Sequence, residues 1–209
     1  VEVGFPGHST CLHGSMCFAS PEIVAALLDA GANVKATDIM GNDVLMASCG
    51  MGRLDNVKFW LTRYNKWNLN RSNTQFGGTA LSNAVYFGPR KLELVKFLIE
   101  EVNATVHFRT HSGSSIMILA ADNEDADPNV IKYLLQNFRV DINSRMITTS
   151  FRWRMIRTIF QSLVKTNISR SRLIQSVAED GGMTPLHYAV KRGDMEIVEL
   201  LLEHGARPS

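Results

Sequence analysis

The sequence predicts an all-α fold in which helix–turn–helix repeats of about 33 residues follow one another and stack into a solenoid. In the last repeat and in the first, a threonine is followed by a glutamate 12 residues later and by a glycine 21 residues later. These residues are Thr184, Glu196 and Gly205 in the last repeat, and Thr10, Glu22 and Gly31 in the first. Two spacings that agree at both ends of the chain indicate an internal repeat, and this period is typical of stacked helical repeats.

Three further repeats lie between these two, and they open at Asp43, Thr79 and Ser115. Counted from Thr10, successive openings are 33, 36 and 36 residues apart. The extra residues fall in turns, such as Pro89-Arg90, because loops accept insertions at little cost in free energy. The predicted repeats span residues 7–37, 38–73, 74–109, 110–145 and 181–209.

Each repeat has the signals of two helices separated by a turn. A threonine caps the first helix, and proline fits its first turn because the missing N–H would have no partner there. We expect Gly52, Gly88 and Gly193 to end first helices, since glycine readily adopts the left-handed conformation needed at that point. A second apolar run follows at helical spacing, and we expect its leucines, including Leu134 and Leu200, to lie in the core.

The run Thr184-Pro185-Leu186-His187, followed by Glu196-Ile197-Val198, resembles the ankyrin repeat family, which shares the period and has a Thr-Pro-Leu-His-x-Ala signature. The resemblance covers residues 7–145 and 181–209. It implies an ankyrin-type solenoid of about five L-shaped helix pairs with β-turn fingers, forming a single domain over residues 1–209. It also implies recognition of another protein by the concave face and the hairpin fingers.

Residues 146–180 do not fit the repeat, because they lack its capping, histidine and glycine signals. They contain a predicted amphipathic helix at 151–165. Its apolar stripe consists of Ile156, Ile159, Phe160, Leu163 and Val164. Two interpretations remain open: the segment is either a degenerate repeat, as its length of about one period suggests, or a loop insertion that lets the fourth and fifth repeats stack directly.

Charge is unevenly distributed along the chain. From Arg145 to Ala178 there are seven basic residues and no acidic one, whereas the remainder has a net charge of −5. A basic helix with an apolar stripe is typical of segments that bind calmodulin or an anionic membrane, so 151–165 is a candidate for either contact. The structural alternative is a basic outer helix of a degenerate repeat. Nucleic acid is disfavoured as a partner because the rest of the chain is acidic.

The sequence contains no pattern for catalysis, metal or cofactor binding, so we expect none of these and no small-molecule substrate. Its three cysteines have no CxxC spacing, which argues against disulfides or zinc and favours the cytoplasm, with the nucleus as the alternative. His107 and His111 straddle a predicted hairpin and do not form a metal pair. The resemblance makes His13 and His187 structural rather than catalytic. The chain opens at Val1 without a methionine, signal peptide or membrane span, and we expect it to be a piece of a longer protein.

These features predict a non-enzymatic scaffold that binds another protein, whose identity the sequence does not reveal. The candidate contacts are finger and first-helix positions that the core does not need: Met40, Asn42, Arg71, Gln75, Phe76, Tyr86, Phe108, Arg109, His111 and Tyr188. We expect the second to fourth repeats to carry the main epitope and their arginines to favour an acidic or mixed peptide. The alternative is a regulatory ankyrin domain of a larger enzyme or channel, with 151–165 as a calmodulin- or membrane-binding switch.

Overall fold

The computed structural model of the chain describes residues 9–87, 92–123, 125–166 and 171–208. In this part of the chain the fold is all-α, as predicted, with twelve α-helices and no β-strand. The predicted helix end at Gly88 and the insertion at Pro89-Arg90 lie outside the described residues.

The helices follow the predicted order of first and second helices. They are α1 (Cys11–Phe18), α2 (Pro21–Asp29), α3 (Val44–Gly50), α4 (Leu54–Arg63), α5 (Ala80–Tyr86), α6 (Leu92–Lys96), α7 (Ile116–Asp122), α8 (Pro128–Asn137), α9 (Phe151–Lys165), α10 (Arg172–Glu179), α11 (Pro185–Arg192) and α12 (Met195–Glu203). The chain continues from α6 into one π-helical turn, Phe97–Glu101. Gly52 and Gly193 have φ angles of 68° and 73°, so both turn left-handed after a first helix, as predicted.

The chain divides into two compact units. The first unit comprises the described parts of residues 1–106 and 123–130, and the second comprises 107–122 with the described part of 131–208.

The first unit is built from first helices that lie side by side, with α3 packed against both α1 and α5. Each of these helices buries a leucine two residues after its cap, namely Leu12, Leu45 and Leu81. The caps work as the sequence predicts: Thr10, Asp43 and Thr79 each accept a hydrogen bond from the backbone N–H three residues later. Equivalent residues therefore recur at equivalent places, which is the structural meaning of the repeat.

The second unit has α7 packed against α11, and α11 packed against α12. Its buried cluster consists of Ile118, Ala121, Met146 and Tyr188. The helices α9 and α10 pack against each other, and α9 has no buried residue. The chain enters and leaves this helix pair at one place, because the Met146 N–H donates to the Met183 carbonyl (2.9 Å) and the Gly182 N–H donates to the Met146 carbonyl (3.0 Å).

Two predictions about apolar residues need correction. Leu200 is only half-buried, and the adjacent Leu201 takes the core position, since one residue turns a helix by about 100°. Ile159 was predicted to share one apolar stripe with Ile156, Phe160, Leu163 and Val164, but the structure leaves it exposed, whereas those four are half-buried. The half-buried stripe instead continues through Trp153, Ile156, Phe160 and Leu163.

Candidate partner-binding surface

The first finger is a tight turn held by one carboxylate. Asp38 accepts hydrogen bonds from the backbone N–H groups of Met40 (2.9 Å) and Asn42 (2.8 Å). The Asn42 side chain donates to the same carboxylate over 3.0 Å. Gly41 between them has a φ of 78°, a conformation that glycine adopts without strain. The turn therefore has a fixed shape, with Met40 near its tip.

The second finger packs directly on the first. Its Asn73 amide donates to the Asn42 side-chain oxygen (2.8 Å), and the Gln75 N–H donates to the Met40 carbonyl (3.3 Å). A Cβ placed on Gly41 would clash with the Thr74 hydroxyl oxygen and lie 2.7 Å from the Thr74 backbone nitrogen, so only glycine fits this contact. Asn42 was predicted to face a partner, but its side chain joins the two fingers and is a structural residue.

Arg71 also has a structural role. Its guanidinium forms an ion pair with the buried Asp43 carboxylate (3.3 Å) and donates to the Gly41 carbonyl (3.1 Å). Asp43 in turn caps α3 by accepting from the Met46 N–H (2.9 Å). The charge of Arg71 is therefore largely compensated within the protein, which removes it as a reason to expect an acidic partner here.

Apolar side chains extend from these two fingers into solvent. Ile39, Met40 and Phe76 are exposed, and we call these three residues the fingertip patch. Gln75 beside Phe76 is exposed as well. Met40, Gln75 and Phe76 thus lie on an accessible surface, where the sequence placed them.

The finger of the second unit is partly covered by its own chain. Arg109 donates to the carbonyls of Gly113 (2.8 Å) and Arg145 (2.7 Å). The Ser150 N–H donates to the His111 carbonyl (3.3 Å), and both His111 and the Phe108 side chain are half-buried. These contacts tie Arg109 and His111 to local structure more closely than the sequence suggests, and the partial burial of Phe108 leaves less of its ring accessible.

The two tyrosines proposed on first helices are in different environments. Tyr188 is buried, and its hydroxyl donates to the Met146 sulfur (3.2 Å), so its prediction as a partner contact is wrong. Burial also raises the pKa of Tyr188 far above its ordinary value. Tyr86 is half-buried and meets the Phe87 ring edge-on, with the ring centroids 4.8 Å apart.

The histidines of the opening motif have structural partners. The His13 Nδ1 lies 3.0 Å from the Thr10 hydroxyl, and its Nε2 lies 3.3 Å from the Asn42 carbonyl oxygen, which can only accept a hydrogen bond. Nε2 is therefore the protonated nitrogen. His187 has the same relation to Thr184, with Nδ1 at 2.7 Å from the hydroxyl oxygen. Both rings reinforce a helix cap.

Among the described residues, no group of three or more His, Cys, Asp or Glu side chains could hold a metal ion. None of the described helices is long and apolar enough to cross a membrane.

A second exposed apolar surface was missed by the sequence analysis. Phe18, Met51 and Phe87 are all exposed at the carboxyl ends of α1, α3 and α5. Each lies eight residues after the cap of its helix, so a count from Thr10, Asp43 and Thr79 could have found the series. We call it the turn surface, and it lies at the opposite end of the first helices from the fingers.

Two ankyrin repeat family models match this sequence. The model for three ankyrin repeats matches residues 45–146, and the model for a single ankyrin repeat matches residues 181–209. The rice protein "Probable E3 ubiquitin-protein ligase XBOS32" is 25% identical over 97% of this chain and 32% of its own length. The human "Transient receptor potential cation channel subfamily A member 1" is 26% identical over 95% of this chain and 18% of its own.

A shorter match has higher identity. The mouse "Palmitoyltransferase ZDHHC13" is 45% identical over 22% of this chain and 8% of its own length. The chain thus spans about a third or less of the curated relatives that it matches. The repeated caps, the stacked first helices and these two family models together show that the chain belongs to the ankyrin repeat family.

Proposed function

We propose that this chain is a non-enzymatic scaffold that binds another protein through the fingertip patch of its first unit. Ankyrin repeats are protein-interaction modules and are generally non-catalytic. The proposal rests on the exposure of Ile39, Met40 and Phe76. These side chains lie on fingers that internal hydrogen bonds, such as those of Asn42, hold in a fixed shape. Covering such side chains stabilises a complex by roughly 25 cal/mol per Å² of apolar surface.

The rigidity of the two fingers favours binding at their tips. The hydrogen bonds from Asn73 to Asn42 and from Gln75 to Met40 fix the fingers relative to each other before any partner arrives. A preformed surface loses less conformational entropy on binding, so more of the contact energy appears as affinity. Because Arg71 is paired with Asp43, we infer a partner that presents apolar side chains here rather than a mainly acidic peptide.

A pair of matched double variants tests this proposal. Met40→Ala with Phe76→Ala removes the fingertip side chains, each 40% exposed. Met51→Ala with Phe87→Ala removes the same residue types from the turn surface, where they are 48% and 51% exposed. Since all four side chains are accessible, both variants should keep their thermal stability to within a few degrees.

The partner is first isolated by affinity purification and identified by mass spectrometry, and its Kd is then measured by calorimetry with the purified protein. We expect the fingertip variant to weaken binding by roughly tenfold or more, because interface aromatic residues often contribute over 1 kcal/mol each. The turn variant should bind like the unmodified protein. The opposite pattern, with affinity lost only in the turn variant, would reject the fingers as the binding surface.

A second candidate function is regulation within a larger enzyme or channel. It is favoured by the length of the relatives, whose names include a ligase, a palmitoyltransferase and a cation channel. An immunoblot of the endogenous protein tests this alternative, which requires a band far above 23.3 kDa; a band near that mass would reject regulation within a larger protein. Fractionation of the same cells tests the expected cytoplasmic location, with the nucleus as the alternative.

A further inference from the structure

The helix α9 in the second unit has two different faces. Its inner face is half-buried against α10, where the Gln161 amide donates to the Ala178 carbonyl (3.2 Å). On the outer face, Phe151, Met155 and Ile159 are 67%, 50% and 51% exposed. Their spacing of four residues places them in one stripe along the helix, about 12 Å long at 1.5 Å per residue.

Basic side chains flank this stripe on both sides. At 100° per residue, Arg152 lies on one edge of the stripe, and Arg154 and Lys165 lie on the other. All three are exposed, and in the described part of the chain none of them forms an ion pair with an acidic side chain. The helix itself contains no aspartate or glutamate. The outer face therefore combines apolar area with positive charge that no described acidic side chain pairs with.

The shape of this face separates two kinds of binding partner. A shallow depression is lined by Phe151, Arg154, Met155, Thr158 and Ile159, all of which belong to α9. A partner helix usually lies in a groove between two elements, and no second element among the described residues lines this depression. A membrane surface needs no groove, because an interfacial helix lies flat with its apolar side among the acyl chains.

We propose that the outer face of α9 binds the surface of an anionic phospholipid membrane. Phe151, Met155 and Ile159 enter the interface, while the flanking basic side chains contact headgroup phosphates. The proposal rests on the second candidate function, regulation within a larger enzyme or channel, and names the surface that α9 would bind. It does not depend on the fingertip patch. With so few apolar side chains, binding is reversible, and it weakens as salt screens the basic residues.

Vesicle sedimentation with the full chain tests this proposal. The vesicles are phosphatidylcholine alone, or phosphatidylcholine with about one-third phosphatidylserine. We expect the protein to sediment with the anionic vesicles only, and less of it at high salt. Met155→Ser with Ile159→Ser, and separately Arg152→Gln with Arg154→Gln, should each reduce the bound fraction several-fold.

The control replaces two other exposed apolar residues of the second unit, Val190→Ser with Met195→Ser. It should bind like the unmodified protein, and circular dichroism should show that all three variants are folded. Absence of binding to anionic vesicles, or equal binding by every variant, would overturn the proposal. Binding to calcium-loaded calmodulin through the same α9 residues, without binding to vesicles, would replace the membrane with an acidic protein partner. Neither result bears on the fingertip patch, because its variants test the proposed scaffold function separately.

Discussion

Two adjacent leucines of α12 give a sharp test of the repeat register. Leu201 is fully buried, whereas Leu202 is 44% exposed. Replacement by alanine makes the same change in helix propensity at both positions, so any difference in stability reports packing. Leu201→Ala empties a closed site and should lower the free energy of unfolding by about 3 kcal/mol, within the range of about 2–5 kcal/mol for buried leucines. Leu202→Ala should lower it by about 1 kcal/mol or less.

Urea unfolding followed by circular dichroism measures both changes. Since the free energy falls by about 1–3 kcal/mol per molar urea, Leu201→Ala should shift the midpoint by roughly 1–3 M and Leu202→Ala by much less. Hydrogen exchange of the amides of α11 and α12 checks whether the loss is local, because repeat proteins do not always unfold in one step. Equal effects, or a larger effect of Leu202→Ala, would mean that α12 is rotated and the register is wrong.

Three further predictions concern a glycine, an insertion and a carboxylate. Gly41→Ala should lower the melting temperature more than Gly31→Ala. Both glycines have a positive φ, but only at Gly41 would the added Cβ clash with Thr74 of the neighbouring finger. Met146 and Gly182 are joined by a hydrogen bond, so we propose that the residues between them, 147–181, are an insertion. Replacing these residues with a two-residue turn should leave one cooperative melting transition in calorimetry. Loss of that transition would favour a degenerate repeat. Burial raises the pKa of Asp122 above 3.8 despite its ion pair with Arg192. The unmodified protein should therefore lose stability relative to Asp122→Asn as pH rises from about 4. A difference between the two urea midpoints that stays constant with pH would refute this.

The sequence predicts the local parts of this fold well. Short-range chemistry is sufficient to predict the caps at Thr10, Asp43 and Thr79 and the left-handed Gly193. The recurrence of these residues at equivalent repeat positions supports the same predictions. The phase of a short helix is harder, because an error of one residue exchanges Leu200 for Leu201.

The failures at the candidate surface have a different cause. Arg71 is compensated by Asp43, which lies 28 residues earlier, and no local pattern reveals that pairing. Tyr188 is buried in a cluster with Ile118, Ala121 and Met146, which come from distant parts of the chain, and its hydroxyl donates to the Met146 sulfur. By contrast, Met40 and Phe76 occupy equivalent fingertip positions, so counting along the repeat was sufficient to predict their exposure.

The most direct test of the proposed scaffold function is a hydrogen-exchange footprint of the bound partner. Amide exchange is measured by mass spectrometry for the chain alone and for the chain saturated with the purified partner. If the fingers bind, peptides that cover residues 38–42 and 73–78 should exchange more slowly in the complex, while peptides that cover 50–53 should not change. Protection confined to 50–53, or to α9, would contradict recognition by the fingers.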